Sequence, residues 1–117
     1  MSYPDEPGSV SVTRPVSVLL IDDDETWVRT QRRLLERTSE TLSVSTATSF
    51  EAARDALAAT KPDCIVCDYQ LGDGTGVDLL AEVRATDTDR PFILVTGEGD
   101  EKVASEAISA HVTDYVR

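Results

Sequence analysis

Carboxylates and one hydroxyl follow three of the predicted strands, at the points where those strands end. Asp22, Asp23 and Asp24 follow the first apolar run, Asp68 follows another, and Thr96 ends a third. Ligands of open parallel sheets bind beyond the carboxyl ends of the strands, so we expect these side chains to share one edge. Crowded carboxylates repel one another, and Mg²⁺ prefers about six oxygen ligands. A single acid could merely cap the following helix, but the run together with Asp68 favours a metal site.

Apolar runs and amphipathic segments alternate along the chain, which predicts the elements that carry these side chains. This alternation implies right-handed crossovers and a parallel sheet with helices on both faces. Residues 1–15 contain three prolines and no apolar periodicity, so we expect a flexible leader before one domain at 16–117. The predicted strands are 16–21, 42–46, 63–67, 92–95 and 113–116, and the predicted helices are about 25–38, 49–60 (N-cap Ser49), 77–85 and a fourth that follows the N-cap Asp100.

The chain of 117 residues is strongly acidic, with 22 Asp and Glu against 11 Lys and Arg and a formal net charge of −11. This charge disfavours direct nucleic-acid binding, because a phosphate backbone would be repelled. Lysine is rare (Lys61 and Lys102), which fits a protein that works at high salt or simply a soluble acidic surface. No stretch reaches the length of a membrane span and no signal-peptide pattern is present, so we expect a cytoplasmic protein without membrane contacts.

Cys64 and Cys67 form a C-x-x-C pattern that could indicate redox chemistry or zinc. They lie on a predicted strand, where residues three apart point to opposite faces, so the two sulfurs should diverge. A zinc site would also need two further ligands, and His111 is the only histidine. We therefore interpret both cysteines as buried core thiols.

Four segments, taken together and in this order, resemble the response-regulator receiver family of two-component signal transduction. The resemblance runs from about Val16 to the last residue. It implies a flavodoxin-like α/β fold, with a doubly wound five-stranded parallel sheet of order 2-1-3-4-5 flanked by helices. The segments are Val18-Leu-Leu-Ile-Asp-Asp-Asp, Cys64-Ile-Val-Cys-Asp-Tyr-Gln-Leu-Gly-Asp-Gly-Thr-Gly, Ile93-Leu-Val-Thr-Gly and Asp114-Tyr-Val.

The resemblance assigns roles to the acidic residues. Asp68 matches the phosphoacceptor, which would also contact the metal. Asp22 and Asp23 match the family's acidic pair, with Asp23 a direct Mg²⁺ ligand and Asp22 acting partly through water. The backbone carbonyl of Gln70 would be a further ligand. The implied cofactor is Mg²⁺, for which Mn²⁺ can substitute.

The resemblance also implies a switch. Thr96 would bind the phosphoryl group, and Tyr115 matches the aromatic position that turns inward on activation, which alters the face made by the fourth helix and fifth strand. The implied partners are a histidine kinase or a phosphotransfer protein, an output domain C-terminal to this segment, and a second copy in a phosphorylation-dependent dimer. The implied activity is that of a signalling switch rather than an enzyme, although the domain assists its own phosphotransfer and dephosphorylation.

Three positions depart from the family pattern. Gly72 replaces a proline four residues after the acceptor, and we expect it to loosen that turn. The family's lysine would fall one residue beyond Arg117, and the fifth helix has no counterpart, so we expect a longer protein. His111 replaces a glycine at the end of the fourth helix, where a helix C-cap fits it better than a ligand role.

Two other functions are compatible with parts of the sequence. The run from Leu20 to Thr26 resembles the first motif of haloacid-dehalogenase-type phosphatases, with Asp22 as nucleophile and Asp24 as acid/base. Against this alternative, Glu25 replaces the expected glycine and Asp68 receives no role. The other alternative is a pseudo-receiver, a binding module with the same fold and no phosphorylation, which the missing lysine leaves open.

Overall fold

The computed structural model describes residues 15–96 and 101–116. Its five strands form one parallel sheet in the order β2-β1-β3-β4-β5, which confirms the predicted fold class. Of the predicted leader only Pro15 is described, and the predicted N-cap Asp100 also lies outside the described residues. The elements are β1 (Val16–Ile21), α1 (Glu25–Thr38), β2 (Leu42–Ala47), α2 (Phe50–Ala59), β3 (Cys64–Asp68), α3 (Gly76–Thr86), β4 (Phe92–Val95), α4 (Glu101–Ser109) and β5 (Asp114–Val116).

The predicted boundaries hold to within one or two residues. The third strand begins at Cys64 rather than Asp63 and includes Asp68. Asp63 lies just before it, where its carboxylate accepts a hydrogen bond from the Ser17 N–H at 2.8 Å. Ser49 is the N-cap of α2, as predicted, and its hydroxyl accepts a hydrogen bond from the Ala52 N–H. No helix in the described ranges is long and apolar enough to cross a bilayer.

The sheet has an apolar core on each face, because side chains of a strand alternate between faces. On the first face Leu19 and Ile21 of β1 pack with buried residues of α2, α3 and α4. On the opposite face Val18 and Leu20 pack with Val28 of α1. Truncating one of these buried leucines to alanine would cost about 2–5 kcal/mol. The last four residues of β1 are buried, and its position between β2 and β3 places its carboxyl end inside the sheet edge rather than at a corner.

The two cysteines lie on opposite faces, as predicted. Cys67 is buried in the core beneath α2, α3 and α4, whereas Cys64 packs against the core beneath α1. Both are free thiols. Burial and the nearby charge of Asp68 raise the pKa of Cys67, so the thiol stays protonated and inert.

A hydrogen-bonded junction holds the amino end of the sheet. The Arg84 guanidinium donates to the carbonyls of His111 (2.9 Å), Arg90 (2.8 Å) and Asp87 (3.2 Å), and to the Thr113 hydroxyl (3.3 Å). His111 has a left-handed φ of 65°. Its N–H donates to the Ile108 carbonyl, while the Val112 N–H donates to the Ala107 carbonyl. This pair of bonds is a Schellman C-cap, which confirms the predicted capping role of His111.

Candidate functional site

Three carboxylates meet at the carboxyl edge of the sheet. β1 and β3 are neighbouring parallel strands with Ile21 opposite Cys67, so the residues that follow are brought side by side. One carboxylate oxygen from each of Asp22, Asp23 and Asp68 lies within 4.8 Å of the others. Asp22 and Asp68 are half-buried and Asp23 is exposed. The structure thus unites three of the residues that the sequence singled out.

The third acid of the run has a different task. Asp24 is the N-cap of α1, and its carboxylate accepts a hydrogen bond from the Trp27 N–H at 3.0 Å. The Asp24 N–H donates in turn to the Asp22 carboxylate at 2.9 Å. The first turn of α1 therefore engages Asp24 and orients Asp22, which separates their roles although the sequence presents three adjacent identical side chains.

The cluster carries unbalanced negative charge. The pKa of Asp68 is raised to about 6, chiefly by burial and also by the charges of Asp22 and Asp23, while hydrogen bonds from the Tyr69 and Gln70 N–H groups oppose the shift. Burial also raises the pKa of Asp22, with a smaller contribution from Asp23. A bound cation would relieve this repulsion. The donors are all carboxylate oxygens, which fits a hard divalent cation such as Mg²⁺.

The loop between β3 and α3 follows Asp68 directly. The Tyr69 carbonyl accepts from the Gly76 N–H at 2.8 Å, and the Leu71 N–H donates to the Gly74 carbonyl at 3.1 Å. Gly72, at the position where the family has proline, has a left-handed φ of 81°. Proline is locked near −65°. The loop is therefore a different turn that proline could not form, rather than a loosened version of the family's turn.

Gly76 packs directly on β3, a feature that the sequence analysis missed. A Cβ at this position would lie 2.5 Å from the backbone oxygen of Asp68 and 2.6 Å from Cδ1 of Leu94. The first residue of α3 must therefore lack a side chain. The sequence does carry a signal for this contact. Glycine is unfavourable in a helix, so a glycine directly after Thr75, a good N-cap residue, indicates a position with no room for a side chain.

The predicted switch residues lie on the neighbouring strands. Thr96 is buried and directly follows β4, in which Val95 pairs with Asp68, so it lies at the same edge. Its N–H donates to the Val116 carbonyl of β5 at 2.9 Å. Tyr115 lies opposite Leu94 in β5, and its side chain is outside the described part of the chain. Gln70 begins the loop described above and forms an isolated bridge with Thr75.

Solved structures with the same fold include response regulators. A response regulator of Burkholderia pseudomallei, solved with a phosphorylated aspartic acid, a calcium ion and citrate, gives a TM-score of 0.77 at 28% identity, over 86% of this chain and 58% of that chain. A putative response regulator of Chloroflexus aurantiacus gives 0.75 at 30% identity, over 89% of this chain and 86% of that chain.

Curated relatives are regulatory proteins that are longer than this chain. The C4-dicarboxylate transport transcriptional regulatory protein DctD of Rhizobium meliloti is 37% identical over 103 residues, which are 86% of this chain and 21% of DctD. The photosynthetic apparatus regulatory protein RegA of Rhodovulum sulfidophilum is 31% identical over 100 residues, 86% of this chain and 54% of RegA. The chain thus spans about a fifth to a half of these two relatives.

The family comparison covers nearly all of the domain. The family model described as the response regulator receiver domain matches residues 18–117. The matched region contains β1 to β5 almost entirely, with the carboxylate cluster at their shared edge. The chain therefore belongs to the response regulator receiver domain family of two-component signal transduction.

Proposed function

We propose that residues 16–117 form a phosphoacceptor receiver domain that takes a phosphoryl group onto Asp68 from the phosphohistidine of a histidine kinase or phosphotransfer protein. Members of this family are signalling switches rather than classical enzymes. The observation that carries the proposal is the meeting of Asp22, Asp23 and Asp68 within 4.8 Å at the carboxyl end of the two central strands. We also propose that the domain works in the cytoplasm, where kinases are supplied with ATP.

The transfer follows from the position of the acceptor. A carboxylate oxygen of Asp68 attacks phosphorus, the bond from phosphorus to the donor's imidazole nitrogen breaks, and that nitrogen leaves with its electron pair. Asp22, Asp23, Asp68 and the Gln70 carbonyl would hold Mg²⁺, or Mn²⁺ in its place. When bound, the cation neutralises charge that both the carboxylate and the incoming phosphoryl group carry. The half-buried position of Asp68 limits water around the reacting oxygen and strengthens these interactions.

Phosphorylation would then alter the face of α4 and β5. The phosphoryl group brings a charge of about −1.5 to −2, and Thr96 at the same edge can donate its hydroxyl to it. Movement of Thr96 would vacate space for Tyr115. The described part of this face exposes Ile108 and Val116, at 69% and 42%. Such exposed apolar side chains suit a protein partner, which we propose to be an output domain or a second copy of this chain.

The rival functions receive less support. A phosphatase of the haloacid-dehalogenase type would need Asp24 as acid/base, but this carboxylate caps α1. A pseudo-receiver would need no clustered carboxylates. Here the carboxylates are clustered, and burial together with their crowding raises the pKa values of Asp22 and Asp68. Family membership together with the cluster therefore favours the phosphorylated switch.

The test is a Mg²⁺ titration followed by acetyl phosphate, read by Trp27 fluorescence and by intact mass. Trp27 is half-buried in the first turn of α1, and its N–H contacts the acidic run. We expect a Mg²⁺-dependent adduct of one phosphoryl group that is absent in Asp68→Asn. Asp24→Asn is the matched control, because asparagine also caps helices well and should leave the adduct intact. An adduct that survives in Asp68→Asn and disappears in Asp22→Asn would contradict the proposal.

A further inference from the structure

The carboxylate of Asp73 bridges two parts of the fold that are distant in sequence. It accepts hydrogen bonds from the Phe50 N–H at 2.8 Å and from the Glu51 N–H at 3.2 Å. These are the first two amides of α2, which have no partner within the helix. The two bonds lower the pKa of Asp73, so the side chain is ionised at neutral pH. The loop after β3 thereby docks on the start of α2.

Asp73 caps the two amides of α2 that the helix's own cap, Ser49, does not reach. Ser49 accepts from the Ala52 N–H through its hydroxyl and from the Ala53 N–H through its carbonyl. Asp73 adds a second cap from a loop 23 residues further along the chain. The left-handed Gly72 precedes Asp73, and Gly74 follows it so close to Phe50 that a Cβ would lie 2.6 Å from the ring. The loop is therefore shaped to fit against α2.

The contact closes a ring of bonded segments around the acidic cluster. In the sheet order β2-β1-β3, β1, which Asp22 directly follows, lies between the strand before α2 and the strand before the loop. The Asp22 N–H donates to the Ala47 carbonyl at the end of β2. Asp73 then joins the start of α2 to the loop that begins immediately after Asp68. The ring links both strands that supply the carboxylates.

We propose that Asp73 is a positioning residue for cation binding. By holding the loop against α2, it fixes the backbone at Gln70 and Asp68 relative to Asp22 and Asp23. The inference rests on the proposed function, since it concerns the same cation site. Partners that orient metal ligands without touching the metal typically change metal affinity by 10–100-fold when removed. Because Leu71 remains buried and still anchors the loop, we expect Asp73→Ala to weaken Mg²⁺ binding about tenfold, at the lower end of that range.

The test is a Mg²⁺ titration followed by the amide NMR shifts of Asp23 and Asp68, on the wild type, Asp73→Ala and Asp73→Asn. Hydrogen exchange at the Phe50 and Glu51 amides verifies that the two bonds are lost. Asp73→Asn keeps one acceptor oxygen, so it should show a smaller loss of affinity and is the variant to use if alanine prevents folding. Repeating the titration in 1 M salt, where the screening length is about 3 Å, removes the long-range effect of the deleted charge.

Ser49→Ala is the matched control, because it removes the local cap of the same helix and leaves the loop contact in place. We expect it to lower the melting temperature while Mg²⁺ affinity stays at the wild-type value. Equal affinity in wild type and Asp73→Ala, or an equal loss in Ser49→Ala, would overturn the positioning role and leave the proposed function intact. A wild type that shows no Mg²⁺ response would overturn both.

Discussion

Replacing Gly76 by alanine tests whether the start of α3 needs its close approach to β3. The added Cβ would lie 2.5 Å from the Asp68 backbone oxygen and 3.2 Å from Sγ of Cys67. The Asp68 oxygen belongs to the backbone and cannot rotate away, so α3 must move by about half an ångström to reach an ordinary contact distance. Overpacking of this kind costs about 1–3 kcal/mol, and the higher helix propensity of alanine returns about 1 kcal/mol at most. With about 2 kcal/mol as the middle of the overpacking range, less that gain, we expect a net loss of roughly 1–2 kcal/mol.

The assay is thermal unfolding with Gly74→Ala as the matched control. A net loss of that size lowers the melting temperature by roughly 4–16 °C in a domain of about 100 residues. At Gly74 the clashing group is the Phe50 side chain, which can change its rotamer, so the loss should be smaller. We also expect slower phosphorylation in Gly76→Ala, because the added Cβ presses on the backbone oxygen of Asp68 itself. A Gly76→Ala variant as stable as the wild type would refute the reasoning.

The remaining predictions concern charge, turn geometry and the amino-end junction. The pKa of Asp68 is raised to about 6, so the folded state binds more protons than the unfolded state between about pH 4 and 6, and stability falls as pH rises through that window. Asp68→Asn should therefore raise the free energy of unfolding above pH 6 by about 1 kcal/mol after solvent screening. Thermal unfolding of both proteins at pH 4 should show no such stabilisation. Gly72→Pro, which restores the family's residue, should lower the free energy of unfolding in urea by more than about 1 kcal/mol, because proline cannot adopt the φ of 81° found at Gly72. An unchanged urea midpoint would show that the turn adapts to proline. Arg84→Lys should lower the free energy of unfolding by about 1–2 kcal/mol in the same assay, because lysine cannot reproduce the planar set of N–H donors of the guanidinium. A variant as stable as the wild type would mean that the junction contributes little to stability.

The sheet and its helices were predictable because each depends on local pattern. The apolar runs predicted the strands to within one or two residues, and residue type identified Ser49 as a cap. The capping role of His111 was predicted from the family resemblance, which places a glycine at that position. Family resemblance supplied the strand order, which periodicity alone could not. The meeting of Asp22 with Asp68 also followed, because parallel strands end at a common edge.

Contacts that depend on loop conformation were not predictable. The sequence presents Asp22, Asp23 and Asp24 as equivalent, and only the start of α1 shows which one caps a helix. Asp73 reaches α2 through a turn whose shape depends on Gly72, and we had expected that glycine merely to loosen the loop. These features arise from distances between segments far apart in the chain, for which a single sequence carries no periodic signal.

The acceptors of Arg84 have a consequence for ionic strength. Three of its four partners are backbone carbonyls, which carry no formal charge. Those hydrogen bonds therefore do not depend on attraction between two full charges, which dissolved ions would screen. An exposed pair such as Arg29 with Glu25, at 3.4 Å, depends on attraction between full charges and weakens as salt is added. The junction at the amino end of the sheet should therefore keep its geometry from dilute buffer to molar salt, which would let a chain of net charge −11 work across a wide range of salinity.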